Sequence, residues 1–135
     1  MKREFNIFRQ SEDYDSLLKR RLCVDTDPRY SKEIRDFIYS NLDDFLIVAE
    51  RVLTFQRMYY DKYNQEYRHT SGNQVSAFKF IEIKNTRIYC QEMSYSDGQF
   101  FIICARLFEK KSQKNNKKNL PLLVTISKYE YEYKP

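Results

Sequence analysis

Glycine and proline are nearly missing from this chain and tryptophan is absent: two glycines, three prolines and no tryptophan in 135 residues. So few glycines exclude a Gly-rich phosphate cradle, because such loops need backbone amides that approach a ligand closely. One histidine, His69, and three scattered cysteines, Cys23, Cys90 and Cys104, leave no Cys-x-x-Cys and no ordinary zinc spacing. They also leave no Cys–His nucleophile pair among sequence neighbours. An odd number of cysteines, two of them in apolar surroundings, suits reduced, buried thiols in a cytosol better than a disulfide framework. No run approaches the roughly 18 apolar residues of a membrane-spanning helix, and "MKREFNIFRQ" is too charged for a secretory signal. The chain reads as a cytoplasmic protein with no membrane, metal or cofactor.

What is abundant is aromatic and basic. Apolar residues make up 41% and aromatics 16% of the chain, enough for the core of one domain. The formal charge is +5, and much of the excess sits in "FEKKSQKNNKKN", residues 108–119, where five lysines face one acid, Glu109. A local cationic patch implies an anionic partner, whether nucleic acid, acidic protein or membrane surface. A solvated, lysine-rich turn that aids solubility is the competing reading.

Along the chain, "REFNIFR" reads as a short strand or arm. Ser11, Glu12 and Asp13 resemble a helix start with Leu17, Leu18 and Leu22 as its stripe. Thr26 or Asp27 as cap and Pro28 at the first helical position open a second helix through Tyr30, Ile34, Phe37 and Ile38. Asn41 caps a third, with Leu42, Phe45, Leu46, Ala49, Val52 and Leu53 on one face. "YYDKYNQEYRH" reads as the end of that helix, its tyrosines over the core. From there the period changes, and "SAFKFIEIK", "TRIYCQEM" and "FFIICARLF" read as consecutive antiparallel strands, with Asp97–Gly98 as a turn. Alternation puts Arg87, Tyr89 and Gln91 on one face of the middle strand and Ile88 and Cys90 on the other. Helices are expected to cover the Ile88 face and leave the polar one free. "LPLLVTISKYEYEYKP" fits a helix after Pro121 or an edge strand over "YEYEY".

The succession Glu82, Lys84, Arg87-Ile88-Tyr89, Gly98, Phe108, Lys110, Lys111, Gln113 and Lys114 resembles the RelE/HigB-type toxins of bacterial type II toxin–antitoxin systems. About 40 residues carry the resemblance, with Lys84 where arginine is commoner in the family. It implies an α+β fold, N-terminal helices packed on a twisted antiparallel sheet, RelE-like. The single domain over 1–135 would be mainly helical over 1–70, hold antiparallel strands over 76–108, and end in a basic loop and C-terminal segment over 109–135. It further implies a cytoplasmic endoribonuclease that cuts mRNA on the ribosome and is neutralised by a cognate antitoxin protein.

Such cleavage proceeds by attack of an RNA 2′-hydroxyl on its own phosphate and needs no metal. It asks for cations that stabilise the phosphorane and for groups that move two protons. On the resemblance, Lys84, Arg87 and Arg106 are the catalytic candidates. Tyr89 would stack on a base and Lys110, Lys111, Lys114 and Lys117 would hold flanking phosphates. Structural roles compete at each position. Arg87 can be a cross-strand ion pair with Glu82, Tyr89 a core tyrosine, and Tyr129, Tyr131 and Tyr133 sheet-edge residues or hydroxyls near the site. Arg106 interrupts an apolar strand and needs a carboxylate, water or ligand as partner. The alternative functions are a non-catalytic basic RNA- or protein-binding module and a ParE-type gyrase inhibitor.

Overall fold

The computed structural model describes residues 2–10, 20–53, 62–68, 72–94, 99–109 and 119–132. The elements run β1 (Phe5–Gln10), β2 (Arg20–Asp25), α1 (Ser31–Ser40), α2 (Leu42–Leu53), β3 (Tyr63–Arg68), β4 (Gln74–Phe80), β5 (Thr86–Ser94), β6 (Phe100–Glu109) and α3 (Leu120–Ser127). The strands form one sheet in the order β1-β2-β6-β5-β4-β3. Every neighbouring pair is antiparallel except β2 and β6, the second and third strands of that order, which run parallel.

Burial follows the two helical layers. Ile34 and Ile38 of α1 and Phe45, Val48, Ala49, Val52 and Leu53 of α2 recur at helical spacing and pack on one sheet face. Their partners there are Leu22, Val24, Phe78, Phe80, Ile88, Cys90, Ile102 and Cys104. On the opposite face Val75, Ala77, Tyr89 and Ala105 meet Leu123 and Ile126 of α3, and Cys23, Phe101 and Ile103 meet Tyr131. Coverage on both faces explains why β6 reads as a nearly continuous apolar run, since neither set of alternating side chains faces water.

The expected fold is overturned in three respects. Strands lead the chain: β1 and β2 precede α1, and β3 also lies among the described residues of 1–70. The sheet is six-stranded and mixed, not antiparallel. And α3 covers the Arg87–Tyr89–Gln91 face that was expected to stay free of helices. Leu22, expected on a helical stripe with Leu17 and Leu18, lies in β2, while Leu17 and Leu18 fall outside the described residues. "LCV" is too short a run for periodicity to separate strand from helix. Likewise Tyr63–Arg68 forms an edge strand where a helix end was expected. Asp97–Gly98 lies outside the described residues.

Smaller boundaries shift for local reasons. Pro28 sits in a turn, and α1 begins at Ser31 after the Asp27 carbonyl accepts from the amides of Tyr30 and Ser31. Asn41 serves both helices: its Nδ2 donates to the Phe37 carbonyl at the end of α1, and its own carbonyl accepts the Phe45 amide of α2. The β4–β5 connection is a turn over 81–85 that places Glu82 and Lys84 outside the strand. No helix among the described residues is long and apolar enough to cross a membrane.

Candidate nucleic-acid interface

Each of the three strand and turn cations has its own surroundings. Lys84 is exposed at the tip of the β4–β5 turn, where it and Asn85 hold φ of 51° and 50°. Two consecutive non-glycine residues in the left-handed region cost on the order of 1 kcal/mol each or more. Bonds around the turn hold them, from the Asn85 amide to the Ile81 carbonyl and from the Thr86 amide and hydroxyl to the Ile83 carbonyl.

Arg87 is only 6% exposed. Its Nη1 lies 3.1 Å from Oε1 of Glu66, and Lys79 reaches the same oxygen at 3.2 Å. The pairing with Glu82 considered from the sequence is not made; Glu82 is exposed and meets Lys62 at 3.6 Å. Glu66 carries the pair because β3 bulges there: Gln65 pairs with Ser76 and Tyr67 with Val75, which leaves Glu66 without a partner in the register.

A second bulge positions Arg106. Tyr89 of β5 pairs with Arg106 and Cys90 with Cys104, so Ala105 is the extra residue. The re-aimed guanidinium lies 3.5 Å from the centroid of the Tyr30 ring, and its Nη2 donates to the Tyr129 hydroxyl at 2.9 Å. Its Nε is buried and makes no hydrogen bond among the described residues. No carboxylate among them pairs with it either, unlike the two arginines nearby. Arg3 also stacks on Tyr129, at 4.0 Å, but is neutralised by Asp25 and Asp27 at 2.8 and 3.0 Å. Arg29 lies 5.1 Å from the Tyr30 ring and pairs with Asp27 at 2.7 Å. Arg3, Arg29 and Arg106 thus interleave with Tyr30 and Tyr129, and Arg106 alone of these arginines lacks an acidic partner among the described residues.

Tyr89 is buried against Phe108 and α3, its hydroxyl accepting from Asn119 Nδ2 at 3.3 Å, and burial pushes its phenol pKa up. Both ring faces are therefore committed to the core. Lys110, Lys111, Lys114 and Lys117 lie outside the described residues, between Glu109 at the end of β6 and the buried Asn119 that precedes α3. Among the described residues no cluster of His, Cys, Asp and Glu could hold a metal.

The structure does not bring Lys84, Arg87 and Arg106 to one shared partner among the described residues: Arg87 turns toward the β3 edge, Arg106 toward α1 and the C-terminal segment. Sequence reasoning missed Glu66, Tyr30 and Arg3. The one available signal was an arginine interrupting the apolar run of β6, which requires partners without naming them. No family model matches the chain, and no curated protein or solved structure is significantly similar to it.

Proposed function

We propose that this protein is a basic module that binds RNA through its phosphates without cutting it, with Arg106 as a fixed contact and the lysines of 110–118 adding positive charge. The carrying observation is the state of Arg106: a half-buried guanidinium held by an aromatic face and a phenol, with no described carboxylate beside it. A cation so placed keeps its charge available, and a phosphate supplies the missing counterion. Four residues further on begins "KKSQKNNKK", which holds five cations, no acid and no apolar residue. A protein partner would be met through apolar anchors, and lysine is depleted at such interfaces. A polyanion asks only for positive charge.

The resemblance to RelE/HigB toxins suggests RNA as the polyanion, and with it an mRNA endoribonuclease on the ribosome, checked by an antitoxin. Cleavage would require Lys84, Arg87 and Arg106 on one phosphate. Arg87 is bound to Glu66 and turned from Arg106, which favours binding without cleavage.

The test is fluorescence anisotropy with a labelled single-stranded RNA, a duplex DNA and polyglutamate, followed by denaturing gels of the same samples. RNA should bind tightest and stay intact, and Arg106→Gln should weaken it about tenfold, the range of a charged hydrogen bond, with the fold retained by circular dichroism. Equal affinity for polyglutamate would overturn the reading. Shortened RNA would return the endoribonuclease.

A further inference from the structure

We propose that Cys90 and Cys104 are a redox pair whose oxidation closes a disulfide across β5 and β6. The two residues stand directly opposite each other in the sheet, their sulfurs 3.5 Å apart, both wholly buried and both free thiols. They point into the core beneath α1 and α2. Cys23 is the only other thiol in the chain, and it belongs to the opposite face with Phe101 and Ile103. The pairing is therefore decided by the fold.

Opposed residues on antiparallel strands have Cβ atoms about 4.5–5.5 Å apart, and a disulfide needs about 3.5–4.5 Å. Closing the bond draws the strands together by about 1 Å. The ladder can yield at this place, because the bulge at Ala105 interrupts its register beside Cys104.

The oxidant is a peroxide. One thiol gives up its proton, and its sulfur takes an oxygen from hydrogen peroxide to become a sulfenic acid, releasing water. The second sulfur then attacks the first, its proton leaving with the hydroxyl as a second water. Two thiols lose two electrons, and one peroxide gains them. Burial holds the Cys90 thiol well above its usual pKa, so reaction waits on local opening of the core and is slow. The consequence is local: the bond pins Cys104, and through the bulge it fixes the strand that carries Arg106.

The full-length protein is treated with hydrogen peroxide below its unfolding temperature, then denatured, alkylated without reductant and mapped by mass spectrometry. The expected result is one alkylated thiol, Cys23, and a cross-linked peptide pair joining Cys90 to Cys104 that dithiothreitol releases. Alkylation of all three thiols would overturn the proposal. So would a bond to Cys23, since an opened chain can join any two cysteines and only the native register selects this pair. Cys104→Ala should leave a sulfenic acid on Cys90 that dimedone traps, and Cys23→Ala should leave the cross-link intact. Because the wild-type map decides the pairing, neither variant has to fold for the result to stand.

Discussion

The guanidinium of Arg87 on β5 reaches across β4 to the carboxylate of Glu66 on β3, and the Lys79 ammonium of the intervening strand joins the same oxygen. Central strand and edge strand are thus tied by charge on the face that α3 covers. The arrangement depends on the β3 bulge, which takes Glu66 out of the register.

Removing one partner of a largely buried pair leaves the other uncompensated, which typically costs about 3 kcal/mol or more. Glu66→Gln strands both Arg87 and Lys79 and should lower stability to urea on that scale, whereas Arg87→Met leaves Glu66 its contact with Lys79 and should cost less. The double variant should lose less than the sum of the two, because the Arg87 charge is then gone and only Lys79 is left without its carboxylate. Additive losses would show that the two side chains act independently.

Gly72 lies where the chain passes beneath the end of α3. A Cβ there would stand 2.7 Å from the Ser127 carbonyl oxygen, which also accepts the Asn73 amide at 3.0 Å. Backbone cannot move aside as a flexible side chain does. Gly72→Ala should destabilise by about 1–3 kcal/mol, the usual range for overpacking, read as a fall in melting temperature. A variant as stable as the parent would mean that α3 is free to shift.

Parts of this fold were legible in the sequence, for identifiable reasons. The faces of β5 follow from simple alternation, and Ile88 and Cys90 do lie opposite Tyr89 and Gln91. The stripe of α2 is long enough for its period to be unambiguous. What failed were short or interrupted signals. "LCV" in β2 and the polar edge strand Tyr63–Arg68 carry too few residues to reveal a period of two. Bulges at Glu66 and Ala105 reverse faces by a single residue and leave no composition signature. Leu120–Ser127 stood open between helix and strand, so the burial of the Arg87 face was hidden with it. Gln91 shows the result: its side-chain amide donates to the Ile126 and Tyr129 carbonyls, both at 2.8 Å, fastening the end of α3 to the sheet.

Acid should weaken the junction between β2 and α1. Hydrogen bonds from Arg29, with further support from Arg3, hold the Asp27 carboxyl well below the usual aspartate range. A folded-state pKa below the unfolded one, near 3.9, gives stability that is complete above that pH. It is lost as pH falls toward the depressed folded value. Asp27→Asn should therefore be less stable than the parent at pH 7, and the gap should narrow between about pH 4 and pH 2. Urea titrations at several pH values measure it, and a gap that is constant with pH would place the effect in packing and not in charge.

The lysine-rich connection makes a prediction that separates field from fixed contact. Lysines that neutralise phosphates release condensed counterions, so each contact adds about 0.7 to the slope of log affinity against log salt for a single strand. Replacing Lys110, Lys111, Lys114 and Lys117 together by glutamine should lower that slope by up to about 3 and weaken RNA binding most at low salt. Arg106→Gln acts at one position and should lower the slope by no more than about 1. If the quadruple variant keeps the parent slope, the lysines are solvated bystanders, and RNA affinity has to come from the described surface around Arg106.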